Sequence, residues 1–342
     1  RIVDAGAFVE VPFADGRGDA MASGRYSYTG PLFSLGRSNI SLADGEEAAR
    51  ASYRLSANHT IGFFAFGAYD YRGEKDTDAQ DVPVADQETK TLVETMFHRL
   101  DLRYDQRTDD DSLRIRHDVV IGWDQTSIGT DRRVIDKMLE FRSSIVARLA
   151  ENAELHAGIR LTADLDSVDL IEDPPPPPDP ECAPYPDCFS AFFQSRTDFA
   201  VGAYAELPFT LGDRFEITPS LRADLYLSGA REGVGVDPKV STRTRIDDHW
   251  TLTAYAGASS QPPAFIVAGP GFTPPLDDGG LQRSLGASIG AEWKPDPTWT
   301  FTAAVYHSAF FALNDALGTS TIASSGGFTD GLGRFDERFD GW

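Results

Sequence analysis

From Leu113 to Trp123 every second residue can face a greasy surface: Leu113, Ile115, His117, Val119, Ile121 and Trp123. The residues between them are Arg114, Arg116, Asp118, Val120 and Gly122. A period of two is the period of a β-strand, because successive side chains point to opposite faces of a sheet. The same alternation runs through Leu100, Leu102 and Tyr104 against Arg99, Asp101, Arg103 and Asp105. It continues in Leu139–Leu149 against Glu140, Arg142, Ser144 and Arg148, and in Leu155–Leu165 against His156, Arg160, Thr162 and Asp164. Helices would instead repeat apolar residues at three- and four-residue intervals. Further stripes follow at Phe199–Leu207, Ile217–Leu227 and Leu281–Trp293, with softer ones such as Ile61–Tyr71 upstream.

The connections alternate as regularly as the side chains. Short ones are expected at Asp15–Gly18, Ala57–His59, Asp109–Asp111, Glu151–Ala153, Leu211–Asp213, Asp247–Asp248 and Pro295–Pro297. Long, polar ones are expected near 34–47, 73–90, 128–137, 171–195, 229–237, 260–280 and 314–331. Counting strands around the short turns gives fourteen, with a fifteenth after Gly331. These strands run about ten to eighteen residues, against about five or six for soluble strands. About nine to eleven suffice to cross hydrocarbon. Short turns on one side and long loops on the other define an up-and-down antiparallel transmembrane β-barrel, with tight turns in the periplasm.

Charge decides which face meets lipid. A basic or acidic side chain at the bilayer midplane costs a few kcal/mol, so the ionised face must stay wet. Arg99, Asp101, Arg103, Arg114, Arg116, Asp118, Arg148, Arg160, Arg222, Asp224, Arg243 and Arg245 are therefore expected to line a polar lumen. Trp250, Trp293 and Trp299 stand beside short turns, where a membrane boundary satisfies both an apolar ring and a polar tip.

The 342 residues are 41% hydrophobic, with 31 basic and 53 acidic residues and a net charge of −22. No run approaches the roughly 18 apolar residues of a spanning helix. The acidic surplus argues against nucleic acid as a partner. It gathers in two connections, at Asp76–Glu88 and Glu172–Asp187, where a solvated loop is the simpler reading than a cation site. Cys182 and Cys188 stand in the second, and a disulfide ring is favoured over a zinc site, for which two thiols supply half a shell. Pro174–Pro178 beside them reads as a stiff spacer. Tyr185, Phe189, Phe192, Phe193, Phe265 and Phe272 are loop aromatics able to contact a ligand or to pack loop on loop. The histidines, His59, His98, His117, His156, His249 and His307, are scattered over different strands and turns, so no catalytic site, metal centre or cofactor is expected.

Several segments resemble the TonB-dependent receptors of Gram-negative outer membranes. Residues 237–263, from Asp-Pro-Lys-Val-Ser-Thr-Arg to Gln-Pro-Pro, look like the family's mid-barrel hairpin. Leu285–Pro295 with Trp299–Tyr306 resembles the next hairpin, and Gly24–Gly30, Ala51–Leu55 and Phe66–Tyr71 resemble early barrel strands. The resemblance implies an outer-membrane receptor that takes up a scarce ligand such as an iron chelate, cobalamin or an oligosaccharide. A plug-less channel or surface-binding barrel is the alternative. It also implies a plug domain and a segment touching TonB, neither of which these residues show. A full receptor has about 22 strands, so the whole of 1–342 is expected to be a partial barrel, with 171–195 as one extracellular loop. The opening at Arg1 and the close at Trp342 add to the expectation of a fragment.

Overall fold

The computed structural model describes residues 4–27, 29, 39–75, 89–130, 132–170, 193–263, 270–272, 275–276, 280–314, 334–335 and 339–341. Their first half forms β1 (Asp4–Phe13), β2 (Gly18–Ser27), β3 (Ile40–Arg54), β4 (His59–Glu74), β5 (Lys90–Arg107), β6 (Leu113–Ile128), β7 (Arg132–Ala150) and β8 (Ala153–Leu170). The second half adds β9 (Arg196–Glu206), β10 (Phe209–Leu211), β11 (Phe215–Ser228), β12 (Arg231–Arg245), β13 (Trp250–Gln261), β14 (Gln282–Asp296) and β15 (Trp299–Phe311). Short β16 (Leu313–Asn314) and β17 (Arg334–Phe335) pair with each other, and β18 (Phe339–Gly341) pairs with β15.

Every pairing is antiparallel, and from β1 to β15 neighbouring staves follow chain order. Strands β9 and β10 both bridge β8 and β11, so they are one stave interrupted at Leu207 and Pro208. Proline has no amide hydrogen to give the ladder. Its carbonyl still accepts the Glu154 amide at 3.1 Å, and the stave continues past it. The staves up to β15 number the fourteen read from the turns, and β18 stands where a fifteenth is expected.

Burial is inverted relative to a soluble sheet. Val305 is 78% exposed and Ile289 70%, whereas Glu140 is 1% exposed and Asp136 8%. The register explains this. Val11, Ala20, Ala51, Phe63, Leu102, Val119, Phe141, Leu161, Val201, Leu225 and Val234 are consecutive partners across eleven staves. That unbroken apolar row is the convex, lipid-facing surface. One residue further along each strand runs a second row through Arg103, Asp118, Arg142, Arg160, Gly202 and Asp224 on the concave face.

Rings collect at the short-turn edge. Trp250, Trp293, Phe301 and Trp299 stack in sequence with centroids 5.4–6.2 Å apart. His59, Tyr104, His117 and Phe141 form a second stack at 5.9–6.3 Å, in which His59 Nδ1 and Tyr104 Oη lie 2.6 Å apart. His117 thus takes part in an aromatic stack on the lipid side that climbs from His59 at the short turn to Phe141 in mid-strand.

The short turns are closed by aspartates. Asp247 Oδ1 accepts the amides of His249 and Trp250, both at 2.8 Å, and Asp296 Oδ1 accepts those of Thr298 and Trp299. Asp110 accepts the Ser112 hydroxyl at 2.8 Å and its amide at 3.2 Å. Hydrogen bonds from the Thr108 and Ser112 side chains, then the Ser112 amide, hold the Asp110 carboxyl down at about 2. A carboxyl depressed in the folded turn stabilises it above its ordinary range, and that contribution fades as pH falls toward the folded value. The urea midpoint should therefore drop more steeply between about pH 4 and pH 2 in the native protein than in Asp110→Asn. Equal acid sensitivity would remove this role.

Two expected long loops are tight hairpins instead. β6 and β7 are separated by three residues, 129–131, and β11 and β12 by Gly229 and Ala230. Of the 34–47 stretch expected to be a loop, residues 40–47 belong to β3. β7 runs on past the apolar row, where both faces can be polar, and on β12 the row's Val234 is flanked by Gly233 and Gly235, which read as a turn. Arg132, Arg133 and Asp136 on β7, and Arg231 to Asp237 on β12, continue the ladder there.

Candidate functional site: the polar lumen and its roof

All twelve residues expected in the lumen fall on the concave face by register. The structure divides them between two levels. Arg114, Arg148 and Arg245 sit at the short-turn ends of β6, β7 and β12. Arg103 and Arg116 lie just above, both on Asp105, at 3.0 and 2.6 Å. Arg243 pairs with Glu292 at 3.3 Å. Asp101 is half-buried, and its Oδ1 has no hydrogen-bond partner among the described residues.

Farther up, the charges become interlocked and buried. Arg99 donates two parallel hydrogen bonds to Asp124, at 2.6 and 2.7 Å, the bidentate geometry that makes such pairs strong. Arg222 forms the same fork on Asp224 at 2.7 and 2.6 Å. Glu140 is gripped by Arg142 on its own strand and by Arg160 on β8, and accepts the Thr162 hydroxyl at 3.1 Å. Arg196, itself 8% exposed at the side chain, holds Asp166 at 3.0 Å and Asp198 at 2.8 Å. A wall built this way presents a fixed array of guanidiniums and carboxylates instead of loose charges.

Asp124, Asp166, Arg196 and Asp198 lie beyond the expected list. Asp124 stands two residues after Gly122, and Arg196 and Asp198 two residues apart before the Phe199 stripe. Carrying the period of two into the flanking polar segments finds them.

A loop roofs this network. The described residues 270–272 and 275–276 of the connection between β13 and β14 lie against the concave face, where the Thr126 hydroxyl donates to the Pro270 carbonyl at 2.7 Å. Gly271, at φ 78°, rests on the backbone of Val134 and Asp136 in a left-handed conformation that suits glycine. Leu276 and Leu281 are buried, and Arg231 donates to the Leu276 carbonyl at 3.2 Å. Beneath them β12 offers Gly233 and Gly235; a Cβ on Gly233 would stand 2.9 Å from Leu281. Phe272 packs on Phe193 with ring centroids 4.6 Å apart, joining this loop to the one between β8 and β9. Tyr185, Phe189, Phe192, Phe265, the Pro174–Pro178 run, Cys182, Cys188 and both acidic loop clusters lie outside the described residues. Among the described residues no group of three or more His, Cys, Asp or Glu side chains could hold a metal ion.

A long antiparallel wall with a lipid belt, a charged concave face and a folded-in outer loop defines the barrel of an outer-membrane receptor. The chain belongs to the TonB-dependent receptor family: the family's β-barrel model matches residues 6–327. It shares its fold with the ferric-catecholate import receptor Fiu of E. coli, at TM-score 0.65 and 11% identity, covering 93% of this chain and 59% of that one. The FrpB iron transporter of Neisseria meningitidis gives TM-score 0.64 and 15% identity over 94% of this chain and 54% of that one. The siderophore receptor PirA of Acinetobacter baumannii gives 0.62 and 10% over 92% and 50%. The chain thus spans half to three-fifths of the length of these structures. No curated protein sequence matches it. Family and structural neighbours are receptors and transporters of Gram-negative outer membranes.

Proposed function

We propose that this chain is the greater part of the barrel wall of an outer-membrane receptor for energy-coupled uptake of a scarce ligand. The observation that carries the reading is the roofed, charged concave face behind a continuous apolar row. Such a wall is wet inside and lipid-matched outside, and Pro270, Leu276 and Leu281 from the connection between β13 and β14 rest on it. Import of ferric chelates by the neighbouring structures makes an iron–siderophore complex the first ligand class to test. Coupling to TonB, through a segment outside these residues, is part of the same proposal. The lumen-lining residues above would set the path, and Phe272, Tyr185, Phe189 and Phe265 are proposed loop contacts.

The test is uptake of a panel of ⁵⁵Fe-loaded chelates by iron-starved Gram-negative cells carrying the complete receptor. At least one chelate should accumulate, and a protonophore should abolish accumulation without removing surface binding. Entry that persists with the protonophore would instead favour the plug-less channel.

A further inference from the structure

The lipid-facing row is uneven. From β4 to β12 its members are Phe, Leu or Val, but on β2 and β3 they are Ala20 and Ala51. The structure has a groove of about 440 Å³ beside Ala51 on the convex wall. Ala51 lines it together with Phe13, Tyr53, Phe63, Leu102 and Tyr104.

The rings are held in place. The Phe13 ring lies over Gly18, whose Cβ would come within 2.3 Å of it, and stacks on Tyr53 at 6.0 Å. Tyr104 is fixed by His59 and His117 in the aromatic stack. A groove preorganised in this way loses little on filling.

A cation marks one end. The Arg17 guanidinium lies 5.4 Å from the Tyr53 ring centroid, within cation–π range. Its turn is pinned: the Arg17 amide donates to the Ala14 carbonyl at 3.1 Å, and the Arg17 carbonyl accepts the Arg54 amide at 2.8 Å. Arg17 is exposed and no carboxylate pairs with it among the described residues, in a chain of net charge −22. An apolar trough ending at an unpaired cation complements an amphiphile with an anionic head.

We propose that the groove binds one diacyl phospholipid of the periplasmic leaflet, an acyl chain lying along the groove at Ala51 and an anionic phosphate headgroup at Arg17. Any acyl chain can wet an apolar wall, so affinity for lipid in general says nothing. Headgroup selectivity is the property that the Arg17 placement adds. One basic residue beside an anionic lipid surface is worth about 1 kcal/mol, which corresponds to about a fivefold preference. The proposal needs only the membrane setting of the uptake reading, and the iron-uptake assay reports on that reading separately.

The experiment uses the protein purified from outer membranes, stripped of lipid in detergent and offered equimolar phosphatidylglycerol and phosphatidylcholine with matched chains. Native mass spectrometry then counts retained lipids. The native protein should keep one lipid, favouring phosphatidylglycerol about fivefold. Arg17→Glu should abolish the preference, and Ala51→Trp should lose retention of both lipids by filling the groove. Ala256→Trp, on the convex face of β13, should retain lipid like the native protein. Equal retention of the two lipids by the native protein, unchanged preference in Arg17→Glu, or full retention in Ala51→Trp would each overturn the proposal. Should Ala51→Trp fail to fold, as judged by heat-modifiable gel mobility, the exposed Arg17→Glu variant decides the matter alone.

Discussion

Replacing Leu161 by arginine is expected to destabilise the barrel by about 2–4 kcal/mol, the measured range for a basic side chain at the bilayer midplane. Leu161 lies in the apolar row between Phe141 and Val201, and 42% of its surface is open to the surroundings. In a soluble sheet, arginine at so exposed a site would change stability by no more than about 0.5 kcal/mol. The size of the effect therefore separates the two environments. Equilibrium urea titration in phospholipid vesicles, following the folded fraction by gel mobility, measures it. A loss below about 0.5 kcal/mol would mean that this face does not meet hydrocarbon.

Glu140 is the second site of large effect, and here the penalty comes from orphaned charges. It is the most buried carboxylate among the described residues, and two arginines from adjacent staves close on it. Removing one partner of a buried ion pair typically costs about 3–5 kcal/mol. Arg142 and Arg160 are each about half exposed and keep part of their hydration, so Glu140→Ala should cost toward the low end of that range. Glu140→Gln keeps the size and an acceptor oxygen and should recover part of the loss. A Glu140→Ala/Arg160→Met double variant should be more stable than the sum of the two single changes, because the second removes the charge that the first leaves unpaired. Strict additivity in the same urea titration would show that the pair is not coupled.

Much of this architecture was legible because a period of two is local information. Wherever one face met lipid and the other water, as along Leu113–Trp123, each residue declared its side. The twelve charged residues assigned to the lumen share one face for that reason. The pattern failed where the medium became uniform. Past the apolar row both faces of β7 can be polar, so Arg132–Lys137 reads as loop, and the glycines flanking Val234 make Arg231–Asp237 read the same way, although both are paired strand. The roof was illegible for a different reason. Its contacts join Thr126 to Pro270 and Phe193 to Phe272, far apart in the chain, and no local pattern encodes such meetings. Gly233 and Gly235 are the one trace, small residues on a strand where something else must sit.

The fastening of Pro270 to Thr126 also sets a length. Only nine residues lead from Gln261, where β13 ends, to Pro270, a reach of about 30 Å when fully drawn out. Six stave spacings separate β13 from β6, and at about 4.8 Å each they amount to about 29 Å along the wall. On a flat wall that strap would have to be taut, and only rolling the staves toward one another gives it slack. The segment therefore acts as a gauge of the bore: its residue count caps how far these staves can splay before the anchor at Thr126 lets go.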